Sequence, residues 1–144
     1  MLLDFGLLFT IANFSILPVW LLLIFLPKHH VSRWLTDTYF IQMILALIYA
    51  FLIVDGMGRG GDGSFSSLEG VRKLFADDAA LLAGWIHYLV FDSFVGTWMV
   101  RDAESKNIPH LHIIIPLVFT FLLGPIGFLL YVVYRAIYLK KAAQ

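Results

Sequence analysis

Four long apolar stretches, at 5–26, 37–54, 79–100 and 111–139, dominate the chain and fix the solvent in which it folds. Each is close to the ~20 residues an α-helix needs to cross a hydrocarbon layer ~30 Å thick. Inside hydrocarbon every backbone N–H and C=O must be satisfied internally, and a helix does this within one segment. The composition agrees: 60% of the 144 residues are hydrophobic and only 14% charged, with a mean hydropathy of +0.86. A soluble domain carries roughly a quarter charged residues. The expected fold is therefore all-α, an integral membrane four-helix bundle forming one domain over 1–144.

The connections fit that arrangement. "PKHHVSRWLT" and "RDAESKNIPH" are short links after the first and third stretches. The link after the second starts as a glycine loop, "DGMGRGGDGSF", and continues as "SSLEGVRKLF". There Ser66 and Glu69 have capping-box spacing, and Leu68, Val71, Leu74 and Phe75 recur at helical spacing, so a short interfacial helix is predicted over 67–75. Gly56, Gly58 and Gly61 match a dinucleotide fingerprint in spacing, but no strand-turn-helix context surrounds them, and a loop is the expected reading. The first apolar stretch lacks a basic segment before it and a small-residue cleavage site, so it is expected to be a retained span rather than a signal peptide.

Four crossings would put both ends of the chain on one side. That side would hold Arg59, Arg72, Lys73, Arg135, Lys140 and Lys141, and the other Lys28, Arg33, Arg101 and Lys106. The bias predicts both termini in the cytoplasm. Formal net charge is zero, without a basic block, so no nucleic-acid partner is expected; the chain has no cysteine, which excludes disulfides and thiolate chemistry.

The chemically informative stretch is 84–102, "GWIHYLVFDSFVGTWMVRD". A charged side chain at the bilayer centre costs about 2.5–3.5 kcal/mol on insertion scales, and one that persists faces protein or a wet cavity. Asp92 is in that position. At about 100° per residue, with His87 at zero, Phe91 falls near ~40°, Tyr88 near ~100°, Asp92 near ~140°, Trp98 near ~20° and Asp102 near ~60°. His87 and Asp92 are thus candidates for an acid/base pair on one broad arc, reaching one ligand. Trp85, Tyr88, Phe91, Phe94 and Trp98 would line an apolar slot, with the amides Asn13 and Gln42 contributed from other helices. Glu69, Asp102 and His110 would form a rim that relays protons or holds a polar end of the substrate. The competing structural role is helix glue, in which intramembrane polar groups contribute about 0.6 kcal/mol per hydrogen bond. A second alternative is metal ligation by His87, Asp92, Asp102 and His110, which are admissible Zn or Fe ligands but lack an i, i+3 or i, i+4 pair; His29 and His30 are expected to be solvated. In "LLGPIGFLL", Pro125 removes an intrahelical donor and frees the carbonyl of Phe121, so a bend lining a cavity is expected there.

Taken in order, "WLLLIFLP", "SLEGVRKLF", "GWIHYLVFDSFVGTWMVRDAESKNIPH" and "FLLGPIGFLLY" resemble the abscisic-acid-deficient-4-like membrane proteins, also called neoxanthin synthase-like. The positions that carry the resemblance are Glu69, Trp85, His87, Tyr88, Asp92, Asp102, His110, Gly124 and Pro125. Plant members are required for turning the epoxycarotenoid violaxanthin into neoxanthin. The resemblance therefore implies an isomerase of a carotenoid or related polyisoprenoid. Rearranging a conjugated epoxide to an allenic alcohol changes no oxidation state, so it needs a proton donor and a base but no redox cofactor, and no cofactor is expected. The alternatives are a non-catalytic carotenoid- or lipid-binding protein and a metal-dependent intramembrane enzyme. Expected partners are the isoprenoid ligand, membrane lipid and a possible second copy of the chain. No plastid-targeting extension precedes the first span, so the expected location is a bacterial inner membrane.

Overall fold

The computed structural model describes residues 4–59 and 62–142, and over these the chain is all-helical. Gly61, of the glycine pattern, lies outside the described residues, as do the side chains of Met57 and Arg59. Helix α1 is Phe5–Phe25, α2 His30–Thr38, α3 Phe40–Arg59, α4 Leu68–Leu74 and α5 Asp78–Ser105. A 3-10 turn at His110–Ile113 leads into α6, Ile114–Leu123, and α7 follows at Pro125–Ala142. Three helical stretches, Phe5–Phe25, His30–Gly56 and Asp78–Ser105, are long and apolar enough to cross a membrane.

The helix starts are set by side chains that accept the first free amides. Asp4 accepts from Leu7 N and Asp77 from Ala80 N, each at 3.0 Å. Helix α4 is capped by Ser67, which accepts from Gly70 N at 3.0 Å. The predicted cap was Ser66, and Glu69 does not close a capping box but pairs with Arg72 one turn on. A second correction concerns "PKHHVSRWLT", expected to be a link: most of it is α2. His29 Nδ1 accepts from Val31 N at 3.3 Å, and Ser32, Leu35 and Thr36 form its buried side. Tyr39, with φ 51°, separates α2 from α3.

Helix α5 is the axis of the molecule. Helix α1 runs parallel to it and closes in at Gly96, where an added Cβ would lie 2.8 Å from Trp20 Cζ3. Helix α3 runs antiparallel: Tyr39 stacks with Phe94 at 5.6 Å near one end, and Tyr49 lies 5.8 Å from His87 further down. Arg101 bonds the carbonyl of Thr36 at 2.8 Å and pairs with Asp37, tying α2 to the C-terminal end of α5.

The fourth predicted span, 111–139, is not one continuous helix. It breaks at Gly124, whose φ of 39° and ψ of −90° are open to glycine and strained for other residues. Helix α7 then folds back on α6: Gly127 sits against the backbone of Thr120 and Pro116, a contact a straight helix would not allow across that separation. Cross-links between the pieces give the direction. Tyr88 of α5 meets Phe121, Trp98 meets Phe128, Tyr131 reaches Asp102, and Tyr138 bonds the carbonyl of Asn107 at 3.0 Å. The hairpin therefore enters from the Ser105 end of α5, turns at its midpoint and leaves by the same end. This overturns the even count of crossings: the start of α1 lies at the Asp78 end of α5 and the end of α7 at the Ser105 end.

A half-height carboxyl site under the helical hairpin

The hairpin tip is laid on Asp92. A Cβ placed on Gly124 would lie 2.6 Å from Asp92 Oδ1 and 2.8 Å from Oδ2, so only a glycine lets the turn approach the carboxyl group this closely. Asp92 is partly buried, and its Oδ2 is enclosed with no hydrogen-bond partner among the described residues. Tyr88, one turn earlier on α5, interacts with the carboxyl group. Its hydroxyl donates at 3.2 Å to the carbonyl of Phe121. That is the carbonyl that Pro125 leaves without an intrahelical donor, so the phenol both repairs the broken helix and stands beside the acid.

Below the tip, toward the Asp78 end, neither α6 nor α7 covers α5. An apolar slot of about 700 Å³ opens there between the first turns of α1 and α5, lined by Phe5, Phe9, Phe75, Leu81, Leu82 and Trp85, with Asp78 at its mouth. Trp85 is fixed in its wall: the indole N–H donates to Asn13 Oδ1 at 3.2 Å, and Asn13 Nδ2 donates to the carbonyl of Phe9 at 2.7 Å. Trp85 also packs on Tyr88 at 5.2 Å, which makes the aromatic wall continuous up to the carboxyl group.

The predicted site residues divide among four places. Trp85 lines the slot, Asn13 holds its indole, and Tyr88 and Asp92 follow beyond it under the hairpin tip. His87 does not join them: its ring stacks on Phe91 at 4.6 Å beside Tyr49 of α3, on an exposed flank, so the expected His87–Asp92 pair is split between different neighbours. Phe91, Phe94 and Trp98 share that outward flank, at 54%, 47% and 36% exposure. Gln42 is enclosed at 4% exposure, its amide atoms without partners among the described residues, and it borders no part of the slot.

The expected rim is dispersed as well. Glu69 lies at the Asp78 end with Arg72, while Asp102 and His110 are at the other end and apart. Asp102 is clamped by α7, accepting from Tyr131 at 2.7 Å and from Arg135 Nε at 2.5 Å and Nη2 at 3.2 Å. His110 Nε2 pairs with the carbonyl of Ile24 at 2.9 Å, closing the end of α1. These are fastening contacts. The same dispersion removes the metal alternative: no group of three or more His, Asp or Glu gathers among the described residues. We expect Asp102→Asn, which strips the charge that Arg135 faces, to cost about 1.5–3 kcal/mol of stability. Thermal unfolding in detergent reads that loss.

Fold and site define a small helical membrane protein in which the tip of a half-span hairpin meets an intramembrane carboxyl group above a lipid-accessible slot. The chain belongs to the ABA DEFICIENT 4-like family, whose profile matches residues 7–131 and so takes in α1 from Leu7, most of the slot lining, the hairpin tip and Tyr131. It is similar to Protein ABA DEFICIENT 4, chloroplastic, of Arabidopsis thaliana, at 25% identity over 111 residues, 72% of this chain and 50% of the relative. The chain thus spans about half the length of that relative. No solved structure matches it.

Proposed function

We propose that the chain is an intramembrane isomerase of a carotenoid, such as an epoxycarotenoid, or of a related polyisoprenoid lipid, with proton transfer at Asp92 and Tyr88. The observation that carries this reading is the enclosed Asp92 Oδ2, left without a hydrogen-bond partner among the described residues where the hairpin turns. A carboxyl group at that depth costs kilocalories to insert, and no cation among the described residues is bonded to it. Its position is explained if it acts on a ligand. Family membership supports the substrate class, because the relative's name links it to a deficiency in abscisic acid, a product of epoxycarotenoids.

In an epoxide-to-allenic-alcohol rearrangement one proton leaves a polyene carbon and one arrives at the epoxide oxygen as its C–O bond breaks. The Asp92 carboxylate takes the first and the Tyr88 hydroxyl supplies the second. Because the two side chains interact, the proton gained by Asp92 returns to Tyr88 and restores the starting state without any change of oxidation level. Trp85 and Phe9 hold the apolar part of the ligand. His87, facing another flank, is not needed for either transfer.

The test is expression in a host that accumulates an epoxycarotenoid, followed by chromatography and mass spectrometry for a product of unchanged mass. His87→Ala should keep most of the turnover and Tyr88→Phe should lose most of it. The size and apolar lining of the slot favour a second reading, a protein that holds the lipid without altering it. Co-purified lipid with no isobaric product would establish that reading instead.

A further inference from the structure

The hairpin changes which cations share a side. With three crossings instead of four, Arg135, Lys140 and Lys141 join Lys28, Arg33, Arg101 and Lys106 at the Ser105 end of α5. Seven of the ten Lys and Arg residues then lie there, against Arg59, Arg72 and Lys73 at the Asp78 end. The excess of Lys and Arg in segments flanking membrane helices marks the cytoplasmic side. The bias is stronger than the one read from four spans, and it points the other way for the start of α1.

We infer that α1 begins on the non-cytoplasmic side and α7 ends in the cytoplasm, so that the slot opens to the outer leaflet alone and is loaded sideways from it by a long-chain apolar lipid. The geometry of the slot fits such a ligand. On α5 its lining runs from Asp78 to Trp85, about 10 Å of helix, and Trp85 packs on Tyr88 in the direction of Asp92. The slot therefore lies wholly on the Asp78 side of the hairpin tip. Trp85 is 39% exposed in the wall, so the slot is open along its side as well as at its mouth. The leaflet assignment rests on the proposed reading of the slot as the ligand site; the orientation does not.

The chain has no cysteine, so single-cysteine variants report cleanly. Ser66→Cys, in the link before α4, should react with a membrane-impermeant maleimide in intact bacterial cells, and Ala142→Cys, at the end of α7, only after permeabilisation. The reverse pattern would overturn the orientation, and labelling of both from one side would overturn the half-span hairpin. The leaflet is tested without turnover, in proteoliposomes of known orientation with Trp85 as the sole tryptophan. Brominated phosphatidylcholine confined to the leaflet on the Ser66 side should quench it, and the same lipid in the opposite leaflet should not. Quenching from the opposite leaflet, or from neither, would overturn loading from the outer leaflet even if isomerase activity were found.

Discussion

Asp92→Asn is expected to fold as the parent does and to lose turnover by about 10²–10⁴-fold, the range that a positioned acid or base contributes. The side chains are nearly the same in shape, so the hairpin tip at Gly124 can still close on position 92. No cation among the described residues pairs with Asp92, so none of them is stranded by the change, and its Oδ2 has no hydrogen bond there to lose. An amide in hydrocarbon is also less costly than a carboxylate, so stability should stay level or rise. This separates Asp92 from Asp102, where the same substitution strips Arg135 of its counter-charge and should show in unfolding. The measurement is product formed per folded molecule in proteoliposomes, alongside thermal unfolding of both variants. Undiminished turnover in Asp92→Asn would remove the carboxyl group from the mechanism.

Gly127→Ala should destabilise the protein by about 1–3 kcal/mol, the usual cost of forcing an extra carbon into a packed contact. The added carbon would meet the main-chain nitrogen of Thr120 and the carbonyl of Pro116 in α6, and beside them Thr120 Oγ1, on a short side chain that is itself bonded to that carbonyl. Separating α7 from α6 also draws the turn off Asp92, so activity should fall with stability. Gly56→Ala is the matched control. Nothing lies within 4 Å of its added carbon, and in a helix interior alanine is favoured over glycine by up to about 1 kcal/mol. Thermal unfolding of the two variants under one detergent condition decides the matter; equal midpoints would mean that the hairpin is not held by this contact.

The parts of this architecture that were legible in the sequence are those written in composition and local spacing. Long apolar runs predicted all-helical structure, and Asp92 stood out because a carboxyl group in such a run is costly wherever the chain folds. Pro125 also revealed something local and correct, namely that the carbonyl of Phe121 would need an outside donor, which Tyr88 supplies. The fold-back at Gly124 was hidden because "FLLGPIGFLLY" has the same hydropathy whether the helices on either side continue or reverse. The reversal depends on Gly127 fitting against α6, a tertiary contact that no window of sequence contains. The pairing of His87 with Asp92 failed for a related reason. A helical projection gives angles about one axis, but the neighbours that turn those angles into sites, Tyr49 on one flank and Gly124 on another, come from α3 and the hairpin. Helix α2 was hidden because "PKHHVSRWLT", short and polar between two long apolar stretches, reads as a link.

The odd number of crossings also limits how such a chain can be multiplied in evolution or by design. If a second copy were joined directly to the end of α7, it would start on the face opposite to that on which the first began. The tandem protein would be an inverted repeat, with its two halves upside down relative to each other and their hairpins entering from opposite faces. One half would then have its cation-rich end on the disfavoured side. A parallel duplication needs an additional crossing helix as a connector, whereas two separate chains can associate in parallel with none.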